Sequence, residues 1–217
     1  MVQIKICGIT NLADARAAVD AGADMLGFNF FRPSPRFIEP QAAREVIAQL
    51  RAELADRAES VAIVGVFVNE SSPESLARLA RETIIDAAQL HGDESNEFCR
   101  ELKRLLPDLT IIKVLRAGDE FEPQEAGAYQ VDAIMLDTPH AKLRGGTGEV
   151  FDWNLARRAQ ELVPRLFLAG GLSPENVGKA IAEVKPDAVD VCSSIETAPG
   201  RKDAARMKAF VAAVRSS

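Results

Sequence analysis

A single α/β domain over residues 1–217, closed as a (β/α)₈ barrel, is the fold this sequence predicts, and three observations predict it. Eight short β-rich runs alternate with eight Ala- and Leu-rich helical patterns from end to end. No Gly-x-Gly-x-x-Gly follows the first strand, as an open dinucleotide-binding sheet would require. The glycine-rich segments instead follow the sixth and seventh strands, where barrels of this class build their ligand loops.

The strands fall at 3–7 (QIKIC), 25–30 (MLGFNF), 61–68 (VAIVGVFV), 86–90 (DAAQL), 110–115 (TIIKVL), 132–137 (DAIMLD), 166–169 (LFLA) and 188–192 (AVDVC). Each apolar run is too short for a helix and is bounded by turn residues, so strand is favoured. Helical patterns follow at 12–21, 40–57, 74–83, 95–105, 123–128, 153–162, 174–183 and 203–214, the fifth only a turn or two long. Asn11 can cap the first helix and Gly22 can stop it. Pro73, Pro123 and Pro174 stand at or near first helical positions, Ser72 and Ser173 preceding two of them. The intervals between strand starts are longest after strands 2 and 6, which directs attention to those two loops. Beyond the architectural alternation, no residue-level repeat is read.

Bulk properties narrow the function. Hydrophobic residues make up 47 % of the 217 and charged residues 27 %, enough apolar material for a sizeable core. The net charge of −6, with no basic stripe, argues against nucleic acid and anionic membranes as partners. Three cysteines without regular spacing make no disulfide framework, and two histidines leave little from which to build a zinc site. The longest apolar stretch, 61–68, is far too short to span a bilayer, and the N-terminus lacks signal-peptide features. A soluble, cytoplasmic protein with reduced thiols is expected, its ligand a small phosphorylated molecule.

Strand ends carry the chemistry. Gly145-Gly146-Thr147-Gly148 follows strand 6, Gly170-Gly171-Leu172-Ser173 follows strand 7, and Cys192-Ser193-Ser194 follows strand 8. Glycine lets backbone N–H groups approach an oxyanion, and phosphates commonly sit after strands 7 and 8, although tight turns are the plainer alternative. Cys7, last in strand 1, is either a thiolate base at the barrel mouth or a small buried hydrophobe. Asp137, ending strand 6, is either a general acid or a turn carboxylate before Thr138-Pro139. Arg36, in the proline-stiffened loop after strand 2, could bind a carboxylate, with Arg32 as its competitor. His91, in the HGDE run, is a base or a supporting turn residue.

KICGIT at 5–10, GADMLGFNF at 22–30, SPR at 34–36, VGVFVN at 64–69, QLHG at 89–92, LDT at 136–138, GGTG and FDW within 145–153, and LAGGLSPENV at 168–177 together resemble the phosphoribosylanthranilate isomerase family. The resemblance runs along essentially the whole chain. It implies a TIM barrel and the Amadori rearrangement of N-(5-phosphoribosyl)anthranilate in tryptophan biosynthesis, with no cofactor and no metal. It further implies Cys7 as the base that removes the C2′ proton and Asp137 as the acid that protonates the ring oxygen. Arg36 would hold the anthranilate carboxylate, and Gly146, Gly170, Gly171, Ser193 and Ser194 would contact the substrate, chiefly its phosphate. The chain would act as a monomer or homodimer.

One departure stands out. Where the family usually reads DVSSGVE, this chain reads DVCSSIE at 190–196, so Ser194 replaces the usual glycine. If that position needed φ > 0, serine would be strained there; otherwise its hydroxyl could donate to phosphate. Two rival readings remain: the similar isomerase of histidine biosynthesis, against which Cys7 argues, and a non-catalytic phospholigand-binding barrel.

Overall fold

In the computed structural model, residues 1–55, 60–118, 120–137 and 153–217 are described. Gly146, the GGTG run and the first two residues of FDW lie outside them. Eight parallel strands close into one barrel in chain order: β1 (Gln3–Cys7), β2 (Met25–Asn29), β3 (Ala62–Phe67), β4 (Ala87–Leu90), β5 (Thr110–Arg116), β6 (Ala133–Asp137), β7 (Leu166–Ala169) and β8 (Ala188–Val191). Closure runs through β8 against β1, with Lys5 beside Asp190 and Ile6 beside Val191. The helices are α1 (Leu12–Ala21), α2 (Pro40–Leu54), α3 (Pro73–Thr83), α4 (Asn96–Leu105), α5 (Pro123–Gly127), α6 (Trp153–Gln160), α7 (Val177–Val184) and α8 (Ala204–Arg215). None of them is long and apolar enough to cross a membrane.

Strand alternation sorts the side chains into two cores. Ile4, Ile6, Leu26, Phe28, Ile111 and Val189 pack outward against the helices. Met25, Val64, Ile112, Met135 and Phe167 fill the barrel interior. In β1 the buried residues outside the outer core, Lys5 and Cys7, fall on the inward face, and Cys7, last in the strand, reaches the mouth.

Local signals account for the helix boundaries. Asn11 Oδ1 accepts from Asp14 N at 2.9 Å, and Gly22 ends α1 at φ 103° with its N–H on the last carbonyls. Ser72 Oγ accepts from Ser75 N at 3.2 Å, and Pro73 opens α3. At α7 the structure departs from the sequence reading. The helix starts at Val177 rather than near Pro174, because Asn176 Oδ1 takes Ser173 N at 2.8 Å and holds residues 173–176 as a turn. A short hairpin, β9 (Glu196–Ala198) and β10 (Arg201–Lys202), also intervenes before α8.

The bottom of the barrel holds a recurrence that the sequence reading missed. Asp24, Asp86, Asp132 and Asp187 each stand immediately before an even-numbered strand. Each accepts the backbone N–H of Ile4, Ile63, Ile111 or Leu166 in the preceding odd strand, at 2.7 Å in all four cases. Each aspartate N–H also donates back to the carbonyl of that same residue. Four reciprocal clamps thus pair β1 with β2, β3 with β4, β5 with β6 and β7 with β8.

Candidate active site

At the C-terminal ends of the strands a cavity of about 210 Å³ is lined by Cys7, Arg36, Asp137, Gly170, Gly171 and Ser193, among other residues. With His91, which also lines it, seven of the residues singled out from sequence meet at one opening, contributed by six different strand ends.

Cys7 is buried, and its surroundings favour the thiolate. The S–H of Cys192 donates to it, which is the largest influence; burial opposes this, and the Lys5 ammonium assists. The Cys7 thiol is accordingly held well below the ordinary thiol range. Lys5 is fully buried and pairs with Asp190 at 2.8 Å. Burial works to discharge it, yet the Asp190 carboxylate and Cys7 outweigh burial and push its pKa up. Gly27, next to Cys7 across the β1–β2 pair, is needed for space: a Cβ there would stand 2.8 Å from the Cys7 sulfur.

Asp137 is half-exposed at the end of β6 and faces His91, whose Nε2 lies 3.3 Å from Oδ2. Gln89 Nε2 meets His91 Nδ1 at 3.1 Å. With the amide donating, the imidazole proton sits on Nε2 and points at Asp137. Gln89 Oε1 is buried without a partner among the described residues. The HGDE turn is itself clamped: Lys113, almost fully buried, donates to Gly92 O at 2.6 Å and pairs with Glu94 at 2.9 Å.

Arg36 reaches the cavity, whereas Arg32 is exposed and pairs with Glu39. The Arg36 guanidinium is gripped by Glu196, through Nε at 3.0 Å and Nη2 at 2.6 Å. Only its Nη1 edge is left without a protein acceptor among the described residues. Glu196 also takes the buried Lys202 ammonium at 2.8 Å. Sequence reasoning missed Lys5, Lys202 and the structural role of Glu196; the alternation of charged and apolar residues in QIKIC was the available signal for Lys5.

On the phosphate side, Gly170 and Gly171 adopt φ of 91° and 65°, open only to glycine at low cost, and turn the chain after β7. Ser193 begins a 3₁₀ turn at the same opening. Ser194 is not at positive φ, so replacing glycine there brings no backbone strain. Its hydroxyl donates to Leu172 O at 2.6 Å, tying the two loops together rather than pointing a donor at a ligand.

With this geometry in view, residues 4–213 match the family model for N-(5′-phosphoribosyl)anthranilate (PRA) isomerase. The chain belongs to the phosphoribosylanthranilate isomerase family. It is 44 % identical to the N-(5′-phosphoribosyl)anthranilate isomerase of Geobacter sulfurreducens over 97 % of both chains. The crystal structure of the phosphoribosyl anthranilate isomerase from Thermotoga maritima superposes with a TM-score of 0.87 at 40 % identity, covering 100 % of each chain. A phosphoribosyl anthranilate isomerase in complex with reduced 1-(o-carboxyphenylamino)-1-deoxyribulose 5-phosphate superposes with a TM-score of 0.85 at 39 % identity, again over 100 % of each chain. Membership makes the chain an isomerase of tryptophan biosynthesis.

Proposed function

We propose that this cavity converts N-(5-phosphoribosyl)anthranilate into 1-(2-carboxyphenylamino)-1-deoxyribulose 5-phosphate, with Cys7 as base and Asp137 as acid. The observation that carries the assignment is that both groups line one small cavity flanked by a Gly-Gly loop and by Arg36. Asp137, as the carboxylic acid, gives its proton to the furanose ring oxygen as the C1′–O bond breaks, and the anilino nitrogen lone pair forms an iminium. The iminium acidifies C2′–H. The Cys7 thiolate takes that proton, the electron pair forms the C1′=C2′ bond of an enolamine, and tautomerisation yields the ketone. His91 aims the Asp137 carboxyl. The free Nη1 edge of Arg36 takes the anthranilate carboxylate, and the Gly170-Gly171 loop with Ser193 takes the phosphate, Gly146 contributing from the loop after β6. The 1–217 chain works as one catalytic domain in the cytoplasm.

Loss of substrate fluorescence during turnover tests this. Cys7→Ala and Asp137→Asn should each lower kcat by at least about 10²-fold, the lower range for a proton-transfer group. A near-normal kcat in either variant removes that residue from its role. Turnover of only the histidine-pathway substrate by the wild type would overturn the substrate assignment.

A further inference from the structure

Cys192 is a nucleophile that the isomerisation does not consume. It follows β8 directly, and the β1–β8 register that sets Ile6 beside Val191 leads on to Cys7 beside Cys192. Neighbouring strands lie about 4.8 Å apart, inside the Cα separation that a disulfide spans. Both thiols line the same cavity, Cys7 buried and Cys192 partly buried. Both are free. We propose that Cys7 and Cys192 form a peroxide-reactive dithiol that closes to a disulfide across the β1–β8 seam.

The chemistry balances. The Cys7 thiolate attacks one oxygen of hydrogen peroxide, the O–O bond breaks, and the departing hydroxide takes a proton to leave as water, giving a Cys7 sulfenic acid. The Cys192 sulfur then attacks the Cys7 sulfur, releasing its own proton, and the sulfenic oxygen leaves as a second water. Two thiols give up two electrons to the peroxide. Each sulfur is suited to its part. Lys5, beside Cys7, stabilises the attacking thiolate. While Cys7 is ionised, its hydrogen bond with Cys192 keeps the Cys192 proton in place, and burial adds to this. Once Cys7 is a neutral sulfenic acid that hold is gone, and the Lys202 ammonium, 3.7 Å from the Cys192 sulfur, favours its thiolate. The third cysteine, Cys99, has a thiol that burial pushes up to about 11, and it serves as an internal control.

The disulfide stands on geometry alone; that it silences turnover rests on Cys7 being the base. Treatment of the whole enzyme with hydrogen peroxide, followed by thiol titration under denaturing conditions and peptide mass spectrometry, separates the two statements. The expected result is a fall from three titratable thiols to one. The Cys7 and Cys192 peptides should appear cross-linked with a mass loss of about 2 Da. Cys99 should stay free, and turnover should be lost in step and restored by dithiothreitol. In Cys192→Ser, Cys7 should run on to the sulfinic acid, with a loss of turnover, relative to its own untreated sample, that dithiothreitol does not reverse. Retention of all three thiols, or wild-type Cys7 reaching the sulfinic acid while Cys192 stays free, overturns the proposal. If the disulfide forms and turnover survives, the dithiol stands and the base assignment of Cys7 falls.

Discussion

Glu196 holds two cations at once, and its position explains how a charged mouth is assembled over an apolar barrel. Its carboxylate takes the Arg36 fork, the buried Lys202 ammonium and the Gly200 N–H. Glu196→Gln should therefore strand Lys202 and loosen Arg36. Breaking a buried pair from one side costs about 3–5 kcal/mol. Urea unfolding measures this, and a change under about 1 kcal/mol, the worth of an exposed pair, would mean the cations had found other acceptors. Burial raises the Glu196 carboxyl, but Arg36 and Lys202 pull harder and hold it below the usual carboxylate range. Its contribution to stability is thus complete above the unfolded value near 4.3 and fades as pH falls through the lowered value. The variant should be less sensitive than the wild type to acid in that window. Cys7 and Asp137 were legible as strand-end residues, and the family motifs gave them roles. Lys5 was not, because a charged residue in a short strand reads as solvent-facing until closure of the sheet turns that face inward; Lys202 was not, because it falls in a polar stretch that shows no strand pattern.

At the scale of single elements, the HGDE turn after β4 is held from two sides. Asn69, at φ 52°, donates its N–H to Glu94 at 2.8 Å and accepts from Asp93 N at 2.6 Å. Lys113 ties the same turn to β5. A Cβ on Gly92 would stand 2.7 Å from the Asn69 backbone nitrogen, which cannot swing aside as a side chain would. Gly92→Ala should displace the turn, costing about 1–3 kcal/mol as overpacked sites do. It should also lower kcat by drawing His91 off Asp137. Thermal unfolding and steady-state kinetics read the two effects; wild-type behaviour in both would show that the turn carries no such constraint. The strands were legible from short apolar runs, and α1 and α3 from Asn11, Gly22 and Ser72. The start of α7 was not, because Ser173-Pro174 forms a good helix-start pattern that Asn176 diverts into a turn. The β9–β10 hairpin was hidden in a polar ETAPGRK stretch with no hydrophobic alternation to betray it.

For the molecule as a whole, alternation of strand and helix was enough to specify the barrel, since closure follows once eight such units twist in one direction. Less visible was that the eight strands are grouped in twos. In a one-dimensional reading Asp24 and Asp187 are ordinary loop acids and Asp86 and Asp132 merely open strands, and only the register makes each the lock of an odd–even pair. The pairing also has a bearing on where the chain can be opened. Arg215 near the C-terminus donates to Val2 O at 2.8 Å, so the two termini are close enough to be joined by a short linker. New termini placed between Pro107 and Asp108 would fall between two strand pairs and leave every lock within a continuous segment. New termini between Gln130 and Val131 would part Asp132 from the strand it holds, leaving that lock to be rebuilt across a gap. The first circular permutant should be the more stable, by roughly the 1.5–3 kcal/mol of a hydrogen bond to a charged acceptor. Equal unfolding midpoints would mean the locks act independently of chain continuity. On this view the barrel is a ring of four similarly clamped quarters, and its tolerance to being opened has a period of two strands.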